Sequence, residues 1–286
     1  MTKRSLRSVL GIGTLVLTMV FGLAAQTAAH GDGSRVVVTP GNTQGWSTAD
    51  TRTGGAVNFV VDATAPSGTG ALQLTTDATT TAKAQYLHAE STPLAGVTQL
   101  SYYTKQNSGP ALAAPAYQLV MCLTGATAAG CNPQFGSTTT PPSSFTTLVF
   151  EPYQNPAQGA VLPTVWQQWD VDAGLFWSTR TVVCSGGTVL GTPGGPATYT
   201  LAQLKTLCPD ALVVGFGVNI GSNNPSYDVE TDLFNFNGTV YDFEPAQTCA
   251  TAEREDDGDR AHHEDCDKDG HDDHGDHDAH HDGHDD

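Results

Sequence analysis

Between residues 31 and 249 the chain contains one histidine, His88. A histidine metal centre or a nucleophile-histidine-acid triad in that stretch would have to borrow a partner from the C-terminal tail, so the body lacks the parts for either chemistry on its own. Positive charge is also scarce. Twelve Lys and Arg stand against 30 Asp and Glu, for a formal charge of -18. A polyanion of this kind does not seek nucleic acid or an anionic membrane. No Cys-x-x-Cys spacing occurs among the six cysteines, which argues against a structural zinc site. The glycine pairs Gly186-Gly187 and Gly194-Gly195 lack the lysine and strand-to-helix context of a phosphate loop. After residue 29 no apolar run of membrane length appears.

What is present begins with a targeting pattern. Lys3, Arg4 and Arg7 precede the apolar run Val9 to Phe21, and Ala24, Ala25, Ala28 and Ala29 follow. This order predicts a signal peptide over residues 1–29 and a secreted or cell-surface protein, with no membrane insertion after cleavage. Loss of three bases would bring the mature charge near -21. An even set of cysteines suits an oxidising compartment. Proximity in sequence pairs Cys122 with Cys131, Cys184 with Cys208 and Cys249 with Cys266.

Residues 30–249 are long enough for one domain with its own core. Short extended patterns recur, among them Arg35 to Thr39, Ala56 to Val61, Ala71 to Leu74, Gln99 to Tyr103, Tyr117 to Cys122 and Thr146 to Phe150. Further patterns are Trp166 to Val171, Ala211 to Ile220 and Tyr227 to Phe236. Branched and aromatic residues alternate with polar ones and are separated by Gly, Pro, Ser and Thr, which describes strands with one solvated face. The expected fold is all-β, an antiparallel two-layer sandwich. One helix is signalled: Thr200 caps Leu201 to Leu207, Gln203 stands at the reciprocal capping position, and Pro209 stops it. Asn237-Gly238 predicts a tight hairpin between Leu233–Phe236 and Thr239–Phe243.

With the strands so placed, the segment Asp232 to Glu244 resembles the closing hairpin of jelly-roll domains in the galactose-binding-like and carbohydrate-binding-module group. The resemblance is one of topology and composition over residues 34 to 245. It implies a jelly-roll sandwich, a carbohydrate or cell-surface ligand, and a structural calcium held near the sandwich edge by Asp232. Asp228, Glu230 or a backbone carbonyl near Gly41 to Trp46 would assist; otherwise Asp232 faces water. Trp166, Trp169 and Trp177 fall within twelve residues. An exposed one could stack on a sugar while neighbouring amides or carboxylates meet its hydroxyls. Each could instead fill the core.

From Glu253 to Asp286 the chain is nearly all Asp, His and Gly. Residues 251–286 hold 16 acids and three bases, a net of -13. Starting at Asp265, a twelve-residue frame places carboxylates at positions 1, 3, 5, 9 and 12 as Asp265, Asp267, Asp269, Asp273 and Asp276, with Gly270 at position 6. His271, at position 7, would lend its carbonyl. The frame resembles the calcium loops of EF-hands, dockerins and thrombospondin type 3 repeats, and implies Ca2+ as the ligand. It departs from EF-hands in using Asp276 where they use a bidentate Glu, and no apolar helix follows. His262, His263, His271, His274, His277, His280, His281 and His284 suit Zn2+, Ni2+ or Cu2+. Against this stands a flexible, solvated acidic extension that keeps molecules apart.

Paired carboxylates at Asp170 and Asp172, or at Asp228 and Glu230, are the only hint of hydrolytic chemistry, and their spacing does not show a cleft. The sequence therefore reads as a secreted, non-enzymatic binding protein with carbohydrate or a cell-surface component as partner and a divalent-metal-binding tail. An extracellular structural or matrix protein is the first alternative, and a polysaccharide hydrolase or lyase the second.

Overall fold

Alternation of apolar and polar residues is realised as a two-sheet antiparallel sandwich in the computed structural model, which describes residues 33–110, 112–123, 145–185, 187, 189–191 and 193–246. The expected signal segment, the tail with its calcium frame and histidines, and Cys131, Cys249 and Cys266 lie outside the described residues. In chain order the first strands are β1 (Arg35–Val38), β2 (Trp46–Ser47), β3 (Gly55–Val61), β4 (Gly70–Thr76), β5 (Ala84–Pro93), β6 (Leu100–Ser108), β7 (Ala116–Cys122) and β8 (Phe145–Phe150). They are followed by β9 (Gln167–Asp170), β10 (Leu175–Ser178), β11 (Val182–Val183), β12 (Val189–Leu190) and β13 (Tyr199–Thr200). Helix α1 (Leu201–Leu207) then leads to β14 (Leu212–Ile220), β15 (Asp228–Phe236) and β16 (Thr239–Phe243).

One sheet runs β1-β16-β15-β4-β3, with β6 on the other side of β15 and β9 beyond it. The second runs β13-β10-β8-β7-β14-β5-β2. Nearly all pairings are antiparallel; β1 with β16 is parallel. Two local signals of the sequence act as expected. Thr200 Oγ1 accepts from the Gln203 amide while the Gln203 side chain accepts from the Thr200 amide, so two otherwise orphaned donors are satisfied at the start of α1. Asn237 and Gly238 adopt φ of 53° and 85°, the left-handed pair a two-residue hairpin requires.

Aromatic rings fill the space between the sheets. Phe234 of β15 stacks on Tyr117 at 4.1 Å and on Phe216 at 5.7 Å, both from the second sheet. Trp46, on the edge strand β2, meets Phe216, Phe234, Tyr241 and Phe243 edge-on at 5.2 to 5.6 Å. Offset and edge-to-face arrangements of this kind add to the stabilisation from burial itself.

Strand β15 changes partner midway, and Asp232 sits at the change. Residues 228–231 pair with β4 and residues 234–236 with β16. At the junction Leu233 takes φ of 46° and the register against β6 shifts. The ladder loses an acceptor there, and Asp232 Oδ1 replaces it by accepting from the Phe243 amide at 3.0 Å. Asp232 is fully buried, so the alternative that it faces water is corrected by this switch. Its second oxygen, Oδ2, has no hydrogen-bond partner. Burial, with Asp242 and Glu244 adding repulsion, raises its pKa to about 8.

Cys184 and Cys208 are bonded, as proximity suggested, and tie the end of α1 to the chain beyond β11. Cys122 is also disulfide-bonded. Closing a loop of sequence separation 24 restricts the unfolded chain, so replacing Cys184 and Cys208 together by Ala should cost about 3 kcal/mol in urea unfolding. A second test concerns Asp232. Its folded-state pKa lies above the unfolded value of 3.8, so its contribution is fully present below about pH 4 and is lost as pH rises toward about 8. Asp232→Asn, which keeps an oxygen for Phe243, should match the parent near pH 4 and exceed it increasingly up to pH 8. Equal urea midpoints at pH 8 would show that Asp232 ionises without cost.

Candidate functional site

The outer face of the second sheet is recessed into a groove of about 900 Å³. Because side chains alternate along strands, the residues between those of the core point into it. On β14, Phe216 and Val218 enter the core, whereas Gly217 and Asn219 belong to the groove side. On β7, Tyr117, Leu119 and Met121 enter the core, and Ala116, Gln118 and Val120 line the groove.

Cross-strand register assembles the floor. One row reads Leu87, Gly217, Gln118, Val149 and Trp177, contributed by five adjacent strands. A neighbouring row places Gln85, Asn219 and Ala116 side by side. Gly217 is required by close approach, since a Cβ there would fall 2.2 Å from the Tyr86 carbonyl oxygen and 2.7 Å from Leu87 Cδ2. The Leu87 side chain therefore lies over Gly217 and packs with Val120 and Val214 on this face.

Gln118 is the informative polar group. It is only 7% exposed, yet its side-chain amide makes no hydrogen bond among the described residues, while it lines the groove two positions along its row from Trp177. The Gln118 amide is not among the enclosed polar atoms that lack a partner, so it opens onto the groove and can meet a ligand that supplies both a donor and an acceptor. Gln85 is better satisfied, donating to the Ala49 carbonyl at 3.0 Å. Trp177 is half-buried, and its indole N–H donates to Glu151 Oε2 at 2.7 Å. That bond and the Gln154 amide both fall on Glu151 Oε2, so the carboxylate orients the ring. Tyr153, 53% exposed, stands on the same wall.

The other two tryptophans lie elsewhere. Trp169 is wholly buried in the core and donates to Thr104 Oγ1 at 2.7 Å, which corrects its expected place among exposed stacking rings. Trp166 is half-buried beside the first sheet, its N–H on Asp62 Oδ2 at 3.0 Å and Lys105 Nζ 5.2 Å from its ring centre. The three are close in sequence, but the turn after β9 carries the chain from the first sheet to the second, so Trp177 alone reaches the groove.

Neither proposed carboxylate pair lines the groove. Asp228 and Glu230 accept from Asn107 at 3.1 and 2.7 Å, and Glu230 lies 2.7 Å from Lys105 Nζ. Asp172 is raised to about 6 by burial and by hydrogen bonding and repulsion from Asp170, at the turn that leaves β9. Around Asp232, the buried oxygens Asp232 Oδ2 and Asp242 Oδ1 lack hydrogen-bond partners, but Arg35 pairs with the other oxygen of Asp242. Among the described residues no group of three or more His, Cys, Asp or Glu is arranged to hold a metal ion. Among those residues no helix is long and apolar enough to cross a membrane.

No family model matches the chain. No curated protein matches it either. Among solved structures it is similar to the family 11 carbohydrate-binding module of cellulosomal cellulase Lic26A-Cel5E of Clostridium thermocellum, at 10% identity and TM-score 0.36, over 67% of this chain and 86% of that one. The family 11 module from Clostridium thermocellum in complex with β-1,3-1,4-mixed-linked tetrasaccharide is similar at 10% identity and TM-score 0.35, over 70% and 91%. Arabinose-bound MgGH51 α-L-arabinofuranosidase is similar at 9% identity and TM-score 0.35, over 70% of this chain and 24% of that one. At such distances the ligand has to be inferred from the groove's own side chains.

Proposed function

We propose that the chain is an exported, non-catalytic glycan-binding protein, whose groove takes a polysaccharide segment and whose Asp- and His-rich tail binds divalent cations. The observation that supports the groove reading is the unpaired Gln118 amide in one row with Trp177. A sugar ring presents an apolar face and a rim of hydroxyls. Trp177 would take the face, and Gln118 and Asn219 would take hydroxyls as both donors and acceptors. Binding rather than hydrolysis is favoured because both groove carboxylates are already engaged, Asp50 with Lys83 and Glu151 with Trp177 and Gln154. Glycosidic cleavage needs a free pair across the bond.

Trp177→Ala should weaken binding to a polysaccharide that saturates the parent by about 1 to 3 kcal/mol, by analogy with stacking on other flat rings. Gln118→Ala should cost about 1 kcal/mol. Trp166→Ala should leave affinity unchanged. Calorimetry and a glycan array can check all three, and an array with no saturable binding at millimolar sugar would remove the reading.

Calcium should depend on the Asp265, Asp267, Asp269, Asp273 and Asp276 frame, and zinc, nickel or copper on the tail histidines. Titration should then show zinc affinity falling between about pH 7 and 5.5 as imidazoles gain protons. Zinc binding unchanged at pH 5.5, or surviving deletion of residues 251–286, would count against the tail as its site.

A further inference from the structure

Positive charge collects in the groove of a strongly negative protein. Six Lys and Arg lie between residues 33 and 246, and half of them, Arg52, Lys83 and Arg180, line the groove. The other three are occupied elsewhere: Arg35 with Asp242, Lys105 with Asp62 and Glu230, and Lys205 with the Val97 carbonyl. Within the groove Lys83 and Arg52 share one carboxylate, Asp50, at 2.5 and 3.9 Å. The second groove carboxylate, Glu151, is turned to the Trp177 N–H.

Arg180 differs from all of these. Its guanidinium rests 5.3 Å from the centre of the Phe145 ring, and among the described residues it has no carboxylate partner and no side-chain hydrogen bond. The cation–π contact with Phe145 holds the guanidinium beside the ring without using its N–H donors, which can then meet a planar carboxylate. The cations also stand at opposite ends of the floor. Phe145 pairs with Cys122 at one end of β7, whereas Arg52 bridges Lys83 next to Gln85, whose row contains Ala116 at the other end. Six steps of extended chain separate Cys122 from Ala116, about 20 Å.

We infer that the groove selects an anionic polysaccharide, a chain of uronic acid units whose carboxylates meet Arg180 at one end and the Arg52–Lys83 pair at the other. The inference rests on the glycan reading of the same groove and adds the substrate class to it. One uronate would sit against the free fork of Arg180. At the far end, two cations against one carboxylate leave one positive charge for a second.

Esterified and free polyuronates separate charge from shape, because esterification removes the carboxylate charge and keeps the sugar backbone. Full-length protein would be titrated in EDTA, which takes tail cations out of play, with polygalacturonic acid and alginate, each beside its ester, and with neutral glucan and xylan. At least one free acid should bind about tenfold more tightly than its ester, and added salt should shrink the gap. Arg180→Gln should cut that preference at least threefold without changing the melting temperature, leaving the part owed to Arg52 and Lys83, and Arg180→Lys should lose less of it. Esters or neutral chains binding as tightly as the acids, or a preference undiminished by Arg180→Gln, would overturn the uronate assignment and leave the groove reading standing. No binding to any polysaccharide would overturn both.

Discussion

Phe216 and Phe234 face each other 5.7 Å apart across the gap between the sheets, and the placement of both sheets depends on that contact. In a strand the side-chain period is two, so fixing one ring inward fixes every neighbour. Phe216 inward puts Gly217 and Asn219 on the groove floor. A slip of one residue in β14 would send Val218 to solvent and bury Asn219 among rings. On the facing sheet, keeping Phe234 inward while β15 exchanges β4 for β16 requires the kink at Leu233, and Asp232 is drawn inside to satisfy the amide that the exchange would otherwise orphan. A buried carboxyl whose second oxygen has no partner and an outer groove thus follow from one packing constraint on opposite sheets.

Charge shapes the molecule by how few cations there are to distribute. On the first sheet Lys105 is clasped by Asp62 and Glu230, while Asn107 and Gln73 take up Asp228. That surface satisfies itself and behaves as a solvated outer face despite its density of acids. The groove is the reverse: among the described residues the Gln118 amide has no partner and Arg180, beside the Phe145 ring, has no counter-ion, while Trp177 is held by Glu151. The two polar faces therefore differ in what they leave for a ligand.

Much of the scaffold was legible from local pattern. Nine extended patterns, the Thr200–Gln203 capping box, the Asn237-Gly238 turn and the Cys184–Cys208 bridge were read from nearest neighbours, because each depends on a period of two, on a cap or on a short loop. Strand β5 was missed. In Ala84 to Pro93 the groove side carries Gln85 and Leu87, so polarity does not alternate and no face declares itself. Strand β10 was missed because Leu175, Phe176 and Trp177 are three apolar residues in a row without alternation, and Trp177 drew notice only as an aromatic.

The sequence by itself determined that this is an all-β chain with a short capped helix, a tight closing hairpin and few positive charges. These are properties of adjacent residues and of composition. Only the tertiary structure decided which of three neighbouring tryptophans lines the groove, that Asp232 is buried, and that Gln118 and Arg180 have no side-chain hydrogen bond among the described residues of that groove. Those facts require strands far apart in sequence, from Leu87 through Gly217 and Gln118 to Trp177, to be brought side by side in one register, and no local pattern encodes which strand will lie next to which.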